Sequence, residues 1–176
     1  MTKKENKKPM KIDEKHTKEL VKDYYTKQAS CEWRRLQQDP YHQTEYIITM
    51  HFLKKYLPKH GLVLDAGGGP GRYTIELARR GYDVILLDFV PEMLKVARRQ
   101  IKRNRVQKNV KQVVEGSIED LSSFDDETFD AVLSLGAPLC HVLNAKQREK
   151  SAKELVRVAK KRLSNLCFSH QPNRTT

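Results

Sequence analysis

The segment LVLDAGGGPGRYTIELA, residues 62–78, places an acidic residue and a run of glycines between an apolar stretch and an amphipathic one. The acidic residue is Asp65, and the glycines are Gly67, Gly68, Gly69 and Gly71. Glycine permits positive φ angles and close approach of a ligand, while the start of the following helix offers unpaired N–H groups and a positive dipole end. The segment therefore predicts a turn that binds a ligand carrying an anionic group.

Two common nucleotide-binding turns do not fit this spacing. A dinucleotide-binding GxGxxG turn would need glycine in place of Arg72 or Thr74. A P-loop would need a Gly-Lys-Ser/Thr ending, which is missing from the segment. The pattern that remains is an acidic residue followed by GxGxG.

The elements around this turn alternate between short apolar runs and amphipathic segments. Such alternation predicts parallel strands joined by helical crossovers, and hence a doubly wound, mostly parallel α/β sheet. The predicted strands are residues 62–66, 83–87, 110–115 and 129–135. The predicted helices are residues 18–37, 43–56, 72–80, 91–103 and 145–160, with a short helical or irregular link after the third strand. Ligands of such sheets lie beyond the carboxyl ends of the strands, where we expect the site.

We divide the chain into three parts. Residues 1–17 are rich in lysine and contain too few apolar groups to offset the entropy of ordering, so we expect a disordered basic leader. Residues 18–58 are expected to form a helical lid over the ligand cleft. Residues 59–176 are expected to form the ligand-binding core.

Composition restricts the class of protein. The 176 residues are 38% hydrophobic, enough for one core. No apolar run is long enough to cross a bilayer, and the N-terminus has no segment resembling a signal peptide, so we expect a cytoplasmic protein without a membrane partner. Cys31, Cys140 and Cys167 are widely spaced and odd in number, which predicts reduced thiols and no metal site.

The net charge of +12 raises the question of a nucleic-acid partner. Much of the charge lies in the leader and in the segment KVARRQIKRNRVQKNVK. Met93, Ala97 and Ile101 recur every four residues there, which predicts a helix with one buried face. The outer faces would carry Lys95, Arg98, Arg99, Lys102 and Arg103. A solvated basic face is the favoured interpretation, and a nucleic-acid partner stays possible.

Several motifs together resemble the class I S-adenosylmethionine-dependent methyltransferases of the generic small-molecule type. The run from Asp65 to Gly71 resembles their cofactor turn, and Asp88 in VILLDFVPEML stands where the family has an acid for the two ribose hydroxyls. EGSIEDL resembles the adenine-binding turn, and ETFDAVLSLGAPLCHVL resembles the fourth strand with its active-site loop. The resemblance, which also covers SAKELVRVAKK, runs from about Tyr24 to Lys161 and implies a Rossmann-like sheet with an N-terminal helical lid.

The resemblance implies S-adenosylmethionine as the cofactor. Backbone N–H groups of the glycine turn would bind its methionine carboxylate, Asp65 would order its ammonium end or the turn itself, and Asp88 would accept from the ribose. Ser117 replaces the acid that often binds the adenine amino group, so Ile118 and Glu119 would take over adenine recognition, unless Glu119 is only an exposed helix-start residue. The expected cofactor residues are Tyr25, Asp65, Ala66, Gly67, Gly68, Gly69, Gly71, Asp88, Phe89, Met93, Ser117, Ile118, Glu119, Leu135 and Gly136.

Methyl transfer from a sulfonium is an in-line displacement, for which a protein mainly aligns the reactants and excludes water. If the acceptor needs a base, His141 is the candidate, with a packing histidine as the alternative. Cys140 lacks the Pro-Cys pair of the pyrimidine-methylating type, so we expect a buried, inert thiol. The loop also lacks the Asn/Asp-Pro-Pro-aromatic signature of amino-directed nucleic-acid methyltransferases, which favours a small-molecule acceptor. Tyr25 of the lid would reach the cofactor, whereas Trp33 and Tyr46 could equally be lid packing.

The sequence after Lys161, RLSNLCFSHQPNRTT, is long enough for one short strand, to which Leu163, Leu166 and Phe168 would contribute apolar contacts. We therefore expect a truncated core, incomplete after about residue 161, that lacks the last strands of the family's usual seven-stranded sheet. An open sheet edge would favour self-association. The alternatives to an active small-molecule methyltransferase are a cofactor-binding but catalytically defective fragment and, less favoured, an RNA methyltransferase.

Overall fold

The computed structural model describes residues 14–136, 138–161 and 166–168. Two helices, α1 (Glu14–Gln38) and α2 (Pro40–Tyr56), precede an alternating series of strands and helices. This series comprises β1 (Leu62–Ala66), α3 (Arg72–Arg79), β2 (Asp83–Asp88), α4 (Pro91–Arg103), β3 (Val110–Glu115), β4 (Ala131–Ser134), α5 (Ala145–Val158) and β5 (Leu166–Phe168). A 3₁₀ turn, Pro138–His141, precedes α5.

The described strands form one parallel sheet with the order β3-β2-β1-β4-β5. The chain moves outward from β1 to β3 and then crosses to β4 on the other side of β1. The predicted doubly wound parallel sheet is therefore confirmed. A crevice forms at the carboxyl ends of β1 and β4, because the connections after these strands leave in opposite directions.

Helices cover both faces of the sheet, so successive residues of each strand are buried on opposite sides. Val63 packs into a cluster with residues of α2, α3 and α4, while Leu64 packs into a second cluster with residues of α5. Both side chains are fully buried. Burial on both faces explains why the strands are continuous apolar runs rather than alternating ones.

The two N-terminal helices extend beyond their predicted bounds. Helix α1 begins at Glu14, inside the segment expected to be a leader, and the rest of that segment lies outside the described residues. Helix α2 begins at Pro40 because proline suits the first helical position and Asp39 caps it by accepting from the N–H groups of Tyr41 and His42.

The last two strands differ in part from the prediction. Strand β4 is shorter than residues 129–135 because Phe129 forms only an isolated bridge, with Ala159. Strand β5 pairs in parallel with β4, as predicted for a short fifth strand. Leu163, expected to support β5, lies outside the described residues.

Two further findings concern membranes and thiols. Among the described residues, none of the helices has the length and apolar character needed to span a bilayer. Neither Cys31 nor Cys140 forms a disulfide, but Cys140 is exposed, so the expectation of a buried thiol was wrong. In the 3₁₀ turn that carries Cys140, the other residues are half-buried and only Cys140 is exposed.

The guanidinium of Arg157 on α5 holds the irregular link between β3 and β4. It donates to the carbonyl oxygens of Phe124 and Leu121 at 2.9 and 3.0 Å. It also pairs with the carboxylates of Glu154 and Asp126 at 2.8 and 2.7 Å. One side chain thus ties a segment without regular structure to a helix of the core.

Replacing Arg157 by methionine should lower the free energy of unfolding by about 1–2 kcal/mol, because two carbonyl groups and two carboxylates lose their shared donor. Urea titration followed by circular dichroism measures this change. Lys153→Met is the matched control, since its pair with Glu149 on the same helix is exposed and should contribute nothing measurable. Equal destabilisation of both variants would contradict the role given to Arg157.

Candidate functional site

A cavity lies beyond the carboxyl ends of β1, β2 and β4, with α1 across it. Both acidic strand ends, Asp65 and Asp88, line this cavity. Most of the other residues expected at the cofactor site line it too: Tyr25, Gly67, Gly68, Gly69, Phe89, Met93, Ser117, Ile118, Glu119, Leu135, Gly136 and the candidate base His141. The tertiary structure therefore brings residues from six segments of the chain to one cavity.

Two expected residues, Ala66 and Gly71, do not line the cavity. Ala66 is fully buried in the cluster that packs against α5, because its position in β1 directs it to that face. Gly71 has a φ of 84° and precedes α3, and a side chain there would lie 3.4 Å from Ala97. Ala66 and Gly71 therefore contribute to the packing of the turn and do not face the cavity.

The glycine turn is close-packed as well as bent. Gly67 has a φ of 80°, and a Cβ atom there would lie 2.5 Å from the ring of Pro138. A Cβ atom on Gly68 would lie 2.5 Å from the carboxylate of Asp65. Glycine is needed at these positions because Pro138 and Asp65 pack directly against the backbone of Gly67 and Gly68.

The backbone N–H groups of this turn are already engaged within the protein. Those of Gly67 and Gly68 donate to the carbonyl oxygen of Leu87 at 2.7 and 3.3 Å, and that of Gly69 donates to Asp88 at 2.8 Å. The sequence predicted that these N–H groups bind the carboxylate of the ligand. Each N–H has a single hydrogen, which is already donated within the protein, so a ligand carboxylate needs other donors in this arrangement.

Asp65 is the most buried acid of the cavity, with 1% of its surface exposed. Its Oδ2 atom accepts from the backbone N–H of Thr74 at 3.1 Å and from the Thr74 hydroxyl at 2.6 Å. Burial raises the pKa of Asp65 to about 6, although the two bonds from Thr74 favour the ionised form. Asp65 thus orders the turn, and a cationic group in the cavity would stabilise its charge.

Asp88 ends β2 and is held by the backbone on both sides. Its Oδ2 atom accepts from Gly69 and its Oδ1 atom accepts from the N–H of Val90 at 2.9 Å. Burial raises the pKa of Asp88 as well. Each carboxylate oxygen has a second acceptor site, so the oriented group can also receive hydroxyl donors of a ligand.

Lys18 of α1 reaches across to the loop after β3. Its ammonium lies 2.5 Å from a carboxylate oxygen of Glu119 and 3.4 Å from the hydroxyl of Ser117. The contact joins residues that are 99 to 101 positions apart, so no local pattern in the sequence indicates it. The carboxylate of Glu119 is therefore held by α1.

Tyr25 of α1 meets His141 of the 3₁₀ turn at the opposite side of the cavity. The Tyr25 hydroxyl lies 3.3 Å from Nε2 of His141, and their rings pack edge to face. Burial lowers the pKa of His141 and is the largest cause of the raised pKa of Tyr25. Both shifts favour the neutral forms, and in this contact either the Tyr25 hydroxyl or the imidazole N–H donates to the other.

Several cavity residues escaped the sequence interpretation. In the sequence, Arg72 served only to exclude a dinucleotide motif, yet it lines the cavity, as do Arg35, Glu45 and Tyr73. Tyr46 stacks on Tyr73, and Trp33 packs against the buried clusters. The sequence signal for a cavity position of Arg72 was its place directly after the glycine turn.

Within the described ranges, no group of three or more acidic, histidine or cysteine residues could hold a metal ion.

Comparison with known proteins gives consistent matches. A family model described as a methyltransferase domain matches residues 63–162. A glycine/sarcosine N-methyltransferase of Aphanothece halophytica is 32% identical over 111 residues, which are 62% of this chain and 41% of that protein. The tRNA 5-carboxymethoxyuridine methyltransferase of Escherichia coli K12 is 34% identical over 76 residues, or 43% and 29% of the two chains. The chain thus spans well under half the length of these relatives.

A solved structure shares the fold over nearly the whole chain. It is magnesium protoporphyrin IX methyltransferase from Synechocystis PCC 6803 with bound SAM. The TM-score is 0.68 at 23% identity, and the match covers 95% of this chain and 80% of that one.

The raised pKa of Asp65 predicts a pH dependence of stability. The folded protein holds the proton more tightly than the unfolded chain, so this group lowers the free energy of unfolding as pH rises from about 4 to about 6. The expected loss is about 2–3 kcal/mol. Asp65→Asn should remove this part of the pH dependence, which urea titrations between pH 4.5 and 7.5 can measure.

Asp83→Asn is the control for this experiment, because Asp83 lies at the exposed start of β2 and pairs with Lys111. Its stability should follow that of the natural chain across the pH range. If the free energy of unfolding depended on pH in the same way for Asp65→Asn and the natural chain, Asp65 would not titrate between pH 4.5 and about 6.

Proposed function

Because the chain belongs to the family of class I S-adenosylmethionine-dependent methyltransferases, we propose that it binds S-adenosylmethionine in the cavity beneath α1 and transfers the methyl group to a small molecule. One observation carries the proposal: Asp65 and Asp88, at the ends of adjacent strands, flank a glycine turn that opens into the same cavity. This arrangement offers one acid for the ammonium group of the cofactor and one for its ribose hydroxyls.

The cavity has a distinct environment for each part of the cofactor. Asp88 accepts from the ribose hydroxyls, with Phe89 and Met93 beside it. The adenine lies toward Ile118, and Ser117 and Glu119, held by Lys18, form the rim on that side. The methionine end then extends past the glycine turn toward Asp65, whose charge its ammonium group compensates.

The residues of the chain contribute alignment, water exclusion and proton transfer. S-adenosylmethionine, when bound, supplies an activated methyl group on a sulfonium, so no protein nucleophile is needed. Tyr25 and His141 close the cavity by contact between α1 and the active-site loop. The neutral imidazole of His141 accepts the proton that a hydroxyl or ammonium acceptor loses, and Tyr25 orients the ring.

A small acceptor is supported by the position of α1 across the cavity and by the relative named glycine/sarcosine N-methyltransferase. The lid leaves the cavity bordered by side chains of α1 and the loops, which suits an acceptor of modest size. A cytoplasmic location and self-association along the sheet edge stay predictions.

RNA is the second candidate acceptor, favoured by the match to a tRNA methyltransferase. The exposed side of α4 adds support, because Lys95, Arg99, Lys102 and Arg103 are all exposed. Incubation with bulk tRNA and methyl-labelled cofactor tests this candidate. Incorporation of label into tRNA, together with binding that weakens steeply with salt, would replace the small-molecule proposal.

Asp88→Asn should weaken binding of S-adenosylhomocysteine by about 1–3 kcal/mol, because the ribose hydroxyls lose a charged acceptor. Isothermal titration calorimetry measures the change. The control is Asp83→Asn at the other end of the same strand, which should bind as the natural chain does. Unchanged affinity of Asp88→Asn would remove Asp88 from the proposed ribose site.

His141→Gln should lower the rate of methyl transfer at least about 100-fold while leaving cofactor affinity little changed, because the imidazole acts on the acceptor. Release of S-adenosylhomocysteine with glycine, sarcosine and a catechol as acceptors measures this rate. Tyr25→Phe keeps the ring and should reduce the rate less. Full activity of His141→Gln would leave His141 a packing residue, and cofactor binding without turnover on any acceptor would favour the catalytically defective alternative.

A further inference from the structure

A row of exposed apolar side chains runs along α2. Ile48, Phe52 and Tyr56 recur every four residues, a spacing that places them on one side of the helix, and they are 53%, 46% and 50% exposed. The rings of Phe52 and Tyr56 stack with their centroids 6.2 Å apart. Ile47, which is 66% exposed, lies beside this row. We call these four side chains the α2 ridge.

Helix α2 is apolar on the side that faces the core as well. Met50 and Leu53 are buried there in the cluster that covers one face of the sheet. Single exposed apolar residues are ordinary on a protein surface, whereas a contiguous row of them marks a contact surface. A helix that is apolar on more than one side is normally covered on each of those sides. The α2 ridge therefore has the character of a docking surface.

Lysines border the α2 ridge at the end of the helix. Lys54 and Lys55 lie two turns beyond the first two residues of the ridge and hence on the same sides of α2, and Lys59 follows shortly after. All three are exposed, and no carboxylate of the described residues pairs with their ammonium groups. The ammonium of Lys55 lies 5.3 Å from the centre of the Tyr56 ring. The one acid of α2, Glu45, is half-buried.

We propose that the α2 ridge and its bordering lysines dock the protein on the surface of an anionic lipid membrane. The apolar side chains enter the boundary between headgroups and acyl chains, while the lysine ammonium groups contact the anionic headgroups. Tyr56 suits this boundary, because its ring is apolar and its hydroxyl is polar. The net charge of +12 attracts the whole chain to the same kind of surface.

Charge favours a lipid surface over a second copy of the chain. In a two-fold contact the same patch meets itself, so the α2 lysines of both copies would come together without enough acid to neutralise them. An anionic membrane makes the same lysines favourable contacts. Such docking departs from the expectation of no membrane partner, which rested on the lack of a spanning segment. A helix that lies on the membrane surface does not need to span it.

Co-sedimentation with lipid vesicles tests the proposal without cofactor or acceptor. The natural chain should bind vesicles that contain phosphatidylglycerol and bind pure phosphatidylcholine vesicles only weakly. Phe52→Gln should weaken binding to the anionic vesicles about 5- to 10-fold, because an apolar ring no longer enters the lipid. The double variant Lys54→Gln/Lys55→Gln should weaken it about 10-fold or more, because two headgroup contacts are lost.

Two controls match these variants. Val156→Gln removes an apolar side chain of α5 that is 56% exposed, and Lys102→Gln/Arg103→Gln removes the same charge from α4. Both should bind anionic vesicles within about two-fold of the natural chain. Circular dichroism checks that each variant is folded, and the lysine variant, whose changes are exposed, keeps the test valid if Phe52→Gln is not.

Three results would overturn the proposal. They are no binding of the natural chain to anionic vesicles, undiminished binding of folded Phe52→Gln, and equal losses for the α2 and α4 charge variants. Sedimentation velocity without lipid examines the other occupant of the α2 ridge. A dimer of the natural chain that Phe52→Gln dissociates would assign the ridge to a second copy and would also overturn the proposal.

Discussion

The carboxylate of Asp65 accepts two hydrogen bonds from Thr74, and these bonds join the end of β1 to the first turn of α3. The backbone between them must turn sharply and pass close to the carboxylate, which leaves no room for a Cβ atom on Gly68. The connection is made with a buried charge, whose unfavourable desolvation raises the pKa of Asp65. A stable turn and a cavity that attracts cations are thus two consequences of one interaction.

The remainder of the cavity is organised around this turn. Asp88 is oriented by Gly69 of the turn and by Val90 at the start of α4, so the two acids share one rigid segment. Pro138 packs on Gly67, so the 3₁₀ turn after β4 lies against the same backbone. Rigid support of this kind is what a site needs to align two reactants, since small displacements are costly in an in-line transfer.

Helix α1 adds the side of the cavity that the sheet does not provide. It packs on the start of α4 through Ala29, while its polar contacts lie at the rims. Lys18 holds the loop after β3, and Tyr25 meets His141. Such contacts are exposed or partly buried and individually weak, so the core does not depend on them.

The sequence by itself determined the parallel α/β sheet, the glycine turn and the acids Asp65 and Asp88, because the periodicity of apolar residues and the conformational needs of glycine are local properties. The tertiary structure decided the partners of these residues. The ion pair of Lys18, the engagement of the glycine N–H groups and the contacts of Arg72 with His42 and Tyr46 depend on segments far apart in the chain. Local sequence patterns do not predict such contacts, because the contacts form only when burial on the sheet brings the helices and loops together.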